Sequence, residues 1–312
     1  MKIAIMGSGG VGGYFGGMLA RAGEDVTFIA RGEHLQAIKS NGLRVVSDLS
    51  GEFNAGTQAT DDPNKLGPVD LVLYTVKMFH NDDAIPFIAP LVRDNTVVLT
   101  VQNGVDNGER LAKVYGEDHV MVGMVGVQAR IREPGVVEQL GQFGMAVFGE
   151  IRGGITDKGQ RLYGVFKTGG WNVEISDNAM GAVWQKYLFL TGAAGVNAIT
   201  QIPYSDMRSI PETRELIYQS CSEILAVGRA KGAPVEDSML DWAMTALDNF
   251  PADGMASLAK DFRDGNRVEL EGIIGTVVRM GKEVGVPTPV NNTIYAVLKP
   301  AAMKIEAGLS VA

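Results

Sequence analysis

The sequence predicts an α/β doubly wound domain followed by an all-α domain. Three observations carry that prediction. Short β-type runs alternate with helix-type segments through the first half. The runs at 69–76 ("VDLVLYTV") and 96–102 ("TVVLTVQ") are continuously apolar, the pattern of parallel strands covered on both faces. From residue 178 onward β-type runs vanish and long helical patterns, such as 212–231 and 266–284, take over. The division falls near 177, giving domains 1–177 and 178–312.

In chain order, "KIAIM" (2–6) reads as a strand and 10–22 as a helix stopped by Gly23. "DVTFIA" (25–30) is a second strand, and 33–42 a short helix closed by Gly42. Residues 43–58 hold a small hairpin. A helix with Asn81 as its cap is expected over 81–92. Short β-type runs over 120–149, separated by "EPG" and glycines, suggest antiparallel strands appended to the sheet. A helix near 157–168 and a strand over 171–176 complete the first domain.

Composition narrows the function. The 312 residues are 46% hydrophobic, long enough for two domains with substantial cores. The net charge of −8, with no basic block, argues against nucleic acid and anionic membrane as partners. One cysteine, Cys221, excludes an internal disulfide and reads as a small core residue. "KIAIM" is too short for the apolar core of a secretion signal, and no stretch reaches the length of a membrane span. The expectation is a soluble cytoplasmic protein.

"IAIMGSGGVGGYFGG" places Gly7, Gly9 and Gly12 in G-x-G-x-x-G spacing, directly after a strand and opening a helix. In that context Gly7 permits a tight turn, Gly9 a close approach of pyrophosphate to backbone, and Gly12 close helix–strand packing. The loop Gly7, Ser8, Gly9, Gly10, Val11, Gly12 would hold the phosphates on free amides at a helix N-terminus. Gly13, Gly16 and Gly17 read as packing residues only. At the end of the second strand NAD sites carry an acid for the ribose 2′-hydroxyl. Here "TFIARGEH" offers Ala30 and then Arg31, whose charge and forked donors suit a 2′-phosphate. Glu33 begins the next helix. The cofactor expected is NADP(H), against the alternative of Arg31 as a solvated surface charge.

Ligands of open α/β sheets meet the carboxyl ends of the strands. Lys77 and Gln102–Asn103–Gly104 stand at two such ends. Lys77 reads as a neighbour of the nicotinamide or as a surface lysine; Asn103 as a donor–acceptor group or as an Asn-Gly turn. In "AVWQKYLFLTGAA" (182–194), Lys186 lies in an otherwise almost wholly apolar run. Either its stem snorkels to water or its ammonium has work to do. Of the three histidines, His34, His80 and His119, only His80 follows a candidate strand end, and it ranks below Lys186 as an acid. No cluster has metal-ligand spacing, so no metal is expected. Trp242 and Phe250 read as core.

Taken together, "GSGGVGG", "ARGEH", "TVKMF", "QNGVDN", "WQKYLF" and "MASLAKDFRDGNRVELEGIIG" (255–275) resemble the ketopantoate reductases, or 2-dehydropantoate 2-reductases, over the whole chain and in the same order. The resemblance implies a Rossmann-type domain followed by a helical domain, with the active site in the cleft between them. It implies NADPH-dependent reduction of a 2-oxo acid, ketopantoate to pantoate in pantothenate biosynthesis, and a homodimer built by the helical domain. By motif, Lys186 is similar to the family's catalytic acid and Glu269 to its active-site glutamate. Asn103 matches the asparagine near nicotinamide and substrate, Lys77 the lysine of the cofactor site, and Ser257 a substrate-binding serine. Ala129 in "VQARI" matches a backbone contact to the cofactor.

A hydride delivered to a carbonyl carbon leaves charge on oxygen, and a nearby ammonium can stabilise and protonate it. Partial burial makes a lysine a better acid. Glu269 has a competing structural role, because "NRVE" reads as a capping box with Asn266 as N-cap. The chain also departs from the family. Asparagines expected four and eight residues after the lysine are Leu190 and Ala194, and another is replaced near Tyr204. Asn197, at about 100° per residue, returns to nearly the Lys186 face and offers a substitute substrate amide, provided Gly192 and Gly195 leave the helix unbroken. These departures keep a reductase of a different 2-oxo acid as the alternative. A non-catalytic NADPH sensor with a protein partner is a third, disfavoured by Lys186, Ser257 and Glu269 occurring together.

Overall fold

The computed structural model describes residues 1–309, and its chain divides into two compact units. One comprises Met1–Gln102 and Asp106–Ala182; the other comprises Asn103–Val105 and the chain from Val183 onward.

The first unit is built on one sheet. Its elements are β1 (Lys2–Met6), α1 (Gly10–Arg21), β2 (Asp25–Ile29), α2 (Gly32–Asn41), β3 (Arg44–Ser47), β4 (Gly51–Asn54) and β5 (Ala59–Thr60). They continue with β6 (Leu71–Tyr74), α3 (Asn81–Phe87), β7 (Val97–Thr100), α4 (Asn107–Tyr115), β8 (Val120–Glu133), β9 (Val136–Glu150), α5 (Asp157–Thr168) and β10 (Val173–Ile175). The strand order is β4-β3-β9-β8-β7-β6-β1-β2-β5, with β10 added against β9. From β5 through β8 all neighbours are parallel. The chain leaves β1 toward β2 on one side and returns to β6 on the other, so the order reverses at β1, where α/β sheets take their ligands. Every residue of β6 and β7 is buried, as continuous apolar runs require.

Three local expectations are corrected here. The β-type runs of 120–149 form two long antiparallel strands, β8 and β9, rather than several short ones; "EPG" is their turn, and register shifts at Val127/Gln128 and Ile131/Glu133 absorb the irregular runs. The helix expected over 81–92 ends at Phe87, because Pro86 and Pro90 each lack a backbone donor and Pro90 disfavours helix before it. Asn81 is not its cap: it is the first helical residue, and its buried amide serves the network described below.

The core of the first unit joins β1, β2, β6 and β7 to α1 and α5 through Ile3, Ile5, Phe28, Leu73, Leu99 and Phe166. Trp171 stacks on Phe166 at 4.2 Å and donates its indole N–H to Phe15 O. Missing side chains let α1 lie on the sheet. A Cβ on Gly13, Gly16 or Gly17 would approach Val137, Ile5 or Val45 within 2.6–2.8 Å, so these three glycines serve packing, as read from the sequence.

Helices α6 (Ala179–Thr200), α7 (Tyr204–Ser209), α8 (Pro211–Ala230), α9 (Ser238–Asn249), α10 (Ser257–Arg263), α11 (Ile274–Val284) and α12 (Pro289–Glu306) follow. The second unit contains all of them except the first turn of α6, which belongs to the first. Helix α8 packs against α7, α9, α11 and α12 around Ile217, Cys221, Ile224 and Leu298. Gly192 and Gly195 do not break α6. A Cβ on Gly192 would lie 2.4 Å from Cys221 Sγ, and one on Gly195 2.9 Å from Ile294, so close helix approach offsets their helix-propensity cost of about 1 kcal/mol each. Cys221 is fully buried and its thiol is pushed up to about 12, the inert core residue expected. The aromatic expectation is corrected in part. Trp242 and Phe250 are 40% and 37% exposed, forming the rim of a cluster around Phe189 and buried Tyr204.

Candidate active site

Strand β1 ends in a turn that only glycine makes cheaply. Gly7 has φ +98°, and a Cβ there would lie 2.8 Å from Val76 N. At Gly12 a Cβ would stand 2.3 Å from Gly7 O and 2.4 Å from Thr75 Oγ1, which itself donates to Gly7 O. A Cβ on Gly10 would meet Ala129 O at 2.3 Å, so the Ala129 carbonyl backs the loop from β8. Gly9 is the exception: a Cβ there meets nothing within 4 Å. The loop is thus packed on the Gly7, Gly10 and Gly12 sides and open at Gly9. That is the surface a pyrophosphate needs, and the first-turn amides of α1, including Gly10 and Val11, have no helical acceptor. Ser8 is buried, and its hydroxyl donates to Ile29 O at 3.1 Å, tying the loop to β2. Arg31 is exposed at the end of β2, with its guanidinium 5.6 Å from the Phe87 ring centre. Glu33 lies in the first turn of α2.

The next two strand ends are braced by one buried network. Tyr74 donates to Asn81 Oδ1, and Asn81 Nδ2 donates to Asn107 Oδ1. Gln102 Nε2 donates both to Val76 O at 2.7 Å and to Asn81 Oδ1 at 2.9 Å. One amide thereby joins the residue before Lys77 to the residue before Asn103. Lys77 is exposed, three residues beyond the end of β6. His80 lies in the short turn before α3, edge-on to Phe79. His119 faces Thr96 O.

In the second unit, Lys186 Nζ donates to Asn103 Oδ1 at 2.9 Å, across 83 residues of sequence. The lysine keeps some solvent contact, yet its surroundings desolvate the ammonium enough to pull its pKa from 10.5 to about 8. The Glu269 carboxylate opposes that shift by favouring the charged form. Glu269 is only 7% exposed. It does not begin a helix: residues 266–269 are irregular, 270–273 form a turn and α11 starts at Ile274, so the capping-box reading is corrected. The turn is held by Tyr187, which donates its hydroxyl to Ile273 O at 2.6 Å from the helical position next to Lys186. Lysine, amide and carboxylate therefore belong to one unit, with Tyr187 as a brace that no local pattern in the sequence marked.

Asn197 is not an open substrate amide. It is fully buried; Nδ2 donates to Ile202 O at 2.6 Å and Oδ1 accepts from Ala256 N at 2.7 Å. It clamps the backbone just before Ser257, which is exposed at the start of α10. Ala194 and Tyr204 are 1% and 3% exposed, and Leu190 is half-buried. No group of three or more His, Cys, Asp or Glu side chains suited to a metal occurs among the described residues.

A strand–glycine loop–helix at the switch point of a parallel sheet defines a dinucleotide-dependent class, and the chain is an NAD(P)H-dependent oxidoreductase. More narrowly, it belongs to the ketopantoate reductase family. The family described as ketopantoate reductase PanE/ApbA matches residues 3–153, and its C-terminal counterpart matches residues 178–302. A 2-dehydropantoate 2-reductase of Pyrococcus horikoshii is 29% identical over 299 residues, covering 96% of this chain and 97% of its own. The crystal structure of a PanE/ApbA family ketopantoate reductase from Ralstonia eutropha JMP134 superposes with a TM-score of 0.89 at 33% identity, covering 98% of this chain and 100% of the other. A 2-dehydropantoate 2-reductase from Geobacter metallireducens gives 0.88 at 30% identity, covering 96% and 100%. No helix among the described residues is long and apolar enough to cross a membrane.

Proposed function

We propose that this chain reduces ketopantoate to pantoate with NADPH, using Lys186 as the general acid. The observation that carries the reading is the desolvated Lys186 ammonium, 2.9 Å from Asn103 Oδ1 and under the influence of the Glu269 carboxylate. The names borne by the relatives supply the substrate. The glycine loop fits a pyrophosphate, since of its glycines Gly9 is left open; Arg31 would take the 2′-phosphate, with Lys77, Asn103 and the backbone at Ala129 completing the cofactor's contacts. Bound NADPH supplies the hydride. Lys186 Nζ gives its proton to the former keto oxygen, forming the new O–H bond as its own N–H bond breaks, and the neutral amine regains a proton from solvent. Glu269 keeps the ammonium charged beforehand, and Asn103 fixes its direction. Ser257 binds the acid, presented by the Asn197 clamp.

Lys186→Ala tests this reading. Turnover of ketopantoate should fall by about 10²–10⁴-fold with NADPH affinity retained. Unchanged turnover would remove the lysine from the chemistry.

A second reading has its own support. Leu190 and buried Ala194 stand where the family carries asparagines, so two family amide positions offer no polar side chain, and near the third stands buried Tyr204. A 2-oxo acid with fewer hydroxyls would suit that loss. NADPH consumption over a panel of 2-oxo acids separates the two readings: faster turnover of a plain branched 2-oxo acid than of ketopantoate favours the second.

A further inference from the structure

We propose that His34 is a positioning residue for the cofactor's pyrophosphate, a neutral imidazole that fixes the direction of the Ser8–Gly9 peptide. This rests on the dinucleotide reading of residues 7–12. Both ring nitrogens are committed. Nε2 lies 2.9 Å from Ser8 O, and Nδ1 lies 3.0 Å from Gly135 N. A backbone N–H only donates, so Nδ1 is the unprotonated nitrogen and Nε2–H is donated to the Ser8 carbonyl. Burial favours this neutral form, lowering the ring's pKa, while the Ser8 carbonyl works in the opposite sense.

The consequence for the loop follows from peptide geometry. A trans peptide is planar, with its C=O and N–H pointing in opposite directions. Holding Ser8 O toward α2 therefore sets where Gly9 N–H points. Gly9 is the open position of the loop, where an added Cβ would touch nothing. Ser8 is held from its other side as well, since its N–H and hydroxyl both donate to Ile29 O. The far anchor is equally fixed: Gly135 is the β8–β9 turn, and its carbonyl accepts from Arg44 N at 2.9 Å. One side chain thus joins the phosphate loop to the β-hairpin and leaves the Gly9 amide pre-aimed, so that binding need not order it.

Three substitutions separate this role from packing. The amide oxygen of His34→Asn replaces Nδ1 and keeps Gly135. The amide nitrogen of His34→Gln reaches the place of Nε2 and keeps Ser8. His34→Ala keeps neither. NADPH dissociation constants are measured by titration calorimetry on the folded proteins, with steady-state kinetics beside them. Alanine and asparagine variants should bind NADPH about tenfold more weakly, the cost of one lost hydrogen bond, with the loss falling on the KM for NADPH rather than on kcat; glutamine should restore binding to within about twofold. Glutamine as weak as alanine, or all three equal to the native protein, overturns the inference. A native protein that binds neither NADPH nor NADH overturns the dinucleotide reading and this inference with it.

Discussion

At the scale of single residues, Lys186 and Arg31 set the expected behaviour. Burial stabilises the neutral amine, so Lys186 carries its proton below a pKa of about 8 and loses it above. Reduction at saturating NADPH should therefore be level below that pH and fall about tenfold per unit above it. Glu269→Gln removes the carboxylate that favours the ammonium, so the falling limb should move to lower pH. A limb that stays in place would separate Glu269 from the lysine. Arg31→Ala should weaken NADPH by about tenfold or more, the worth of a charge-assisted hydrogen bond, and leave NADH nearly unaffected. Equal losses for both cofactors would rule out a 2′-phosphate contact. The lysine itself was legible in the sequence as an ammonium in an apolar run. That burial would make it a better acid was legible too; the partners were not, because Asn103 Oδ1 and the Glu269 carboxylate come to it from 83 residues away on either side.

At the scale of elements, two glycines of one motif should behave oppositely. Gly12→Ala forces a Cβ against backbone at 2.3 Å and should both lower the melting temperature and abolish cofactor binding. Gly9→Ala meets no protein atom, so the fold should melt as the native does while NADPH binding weakens by about tenfold or more. Were Gly9→Ala to bind normally, the open side of the loop would not be the phosphate side. Asn197→Ala leaves the half-buried Ala256 N–H and Ile202 C=O without their partner, a loss of about 1–3 kcal/mol, and should raise the KM for the 2-oxo acid through the displaced Ser257 backbone. The helices and strands were largely legible because apolar periodicity records which face is buried. The start of α11 was not. "NRVE" carries the local signal of a helix start, but tertiary contacts bury Glu269 and give Ile273 O to Tyr187 instead.

At the scale of the whole molecule, the division of the chain does not follow its order. Asn103–Val105 interrupts the first unit in sequence and belongs with the helical one. Binding energy is shared with folding, so NADPH at about a hundred times its Kd should stabilise the native protein by about 2.7 kcal/mol, read as a raised melting temperature. Gly9→Ala, binding about tenfold more weakly, should lose about half or more of that gain at the same NADPH concentration, and a native protein indifferent to NADPH would contradict the dinucleotide reading. What the sequence alone determined is whatever depends on neighbours along the chain: strand–glycine–helix at the N-terminus, the parallel strands, the helical second half, the lone apolar-flanked lysine. Only the tertiary structure decided the rest. It made Asn197 a backbone clamp, turned the Glu269 segment out of helix, paired Asn103 with Lys186, and gave both nitrogens of His34 to backbone. The physical reason is that hydrogen-bond partners and desolvation are properties of residues distant in sequence, and local pattern has no means of recording them.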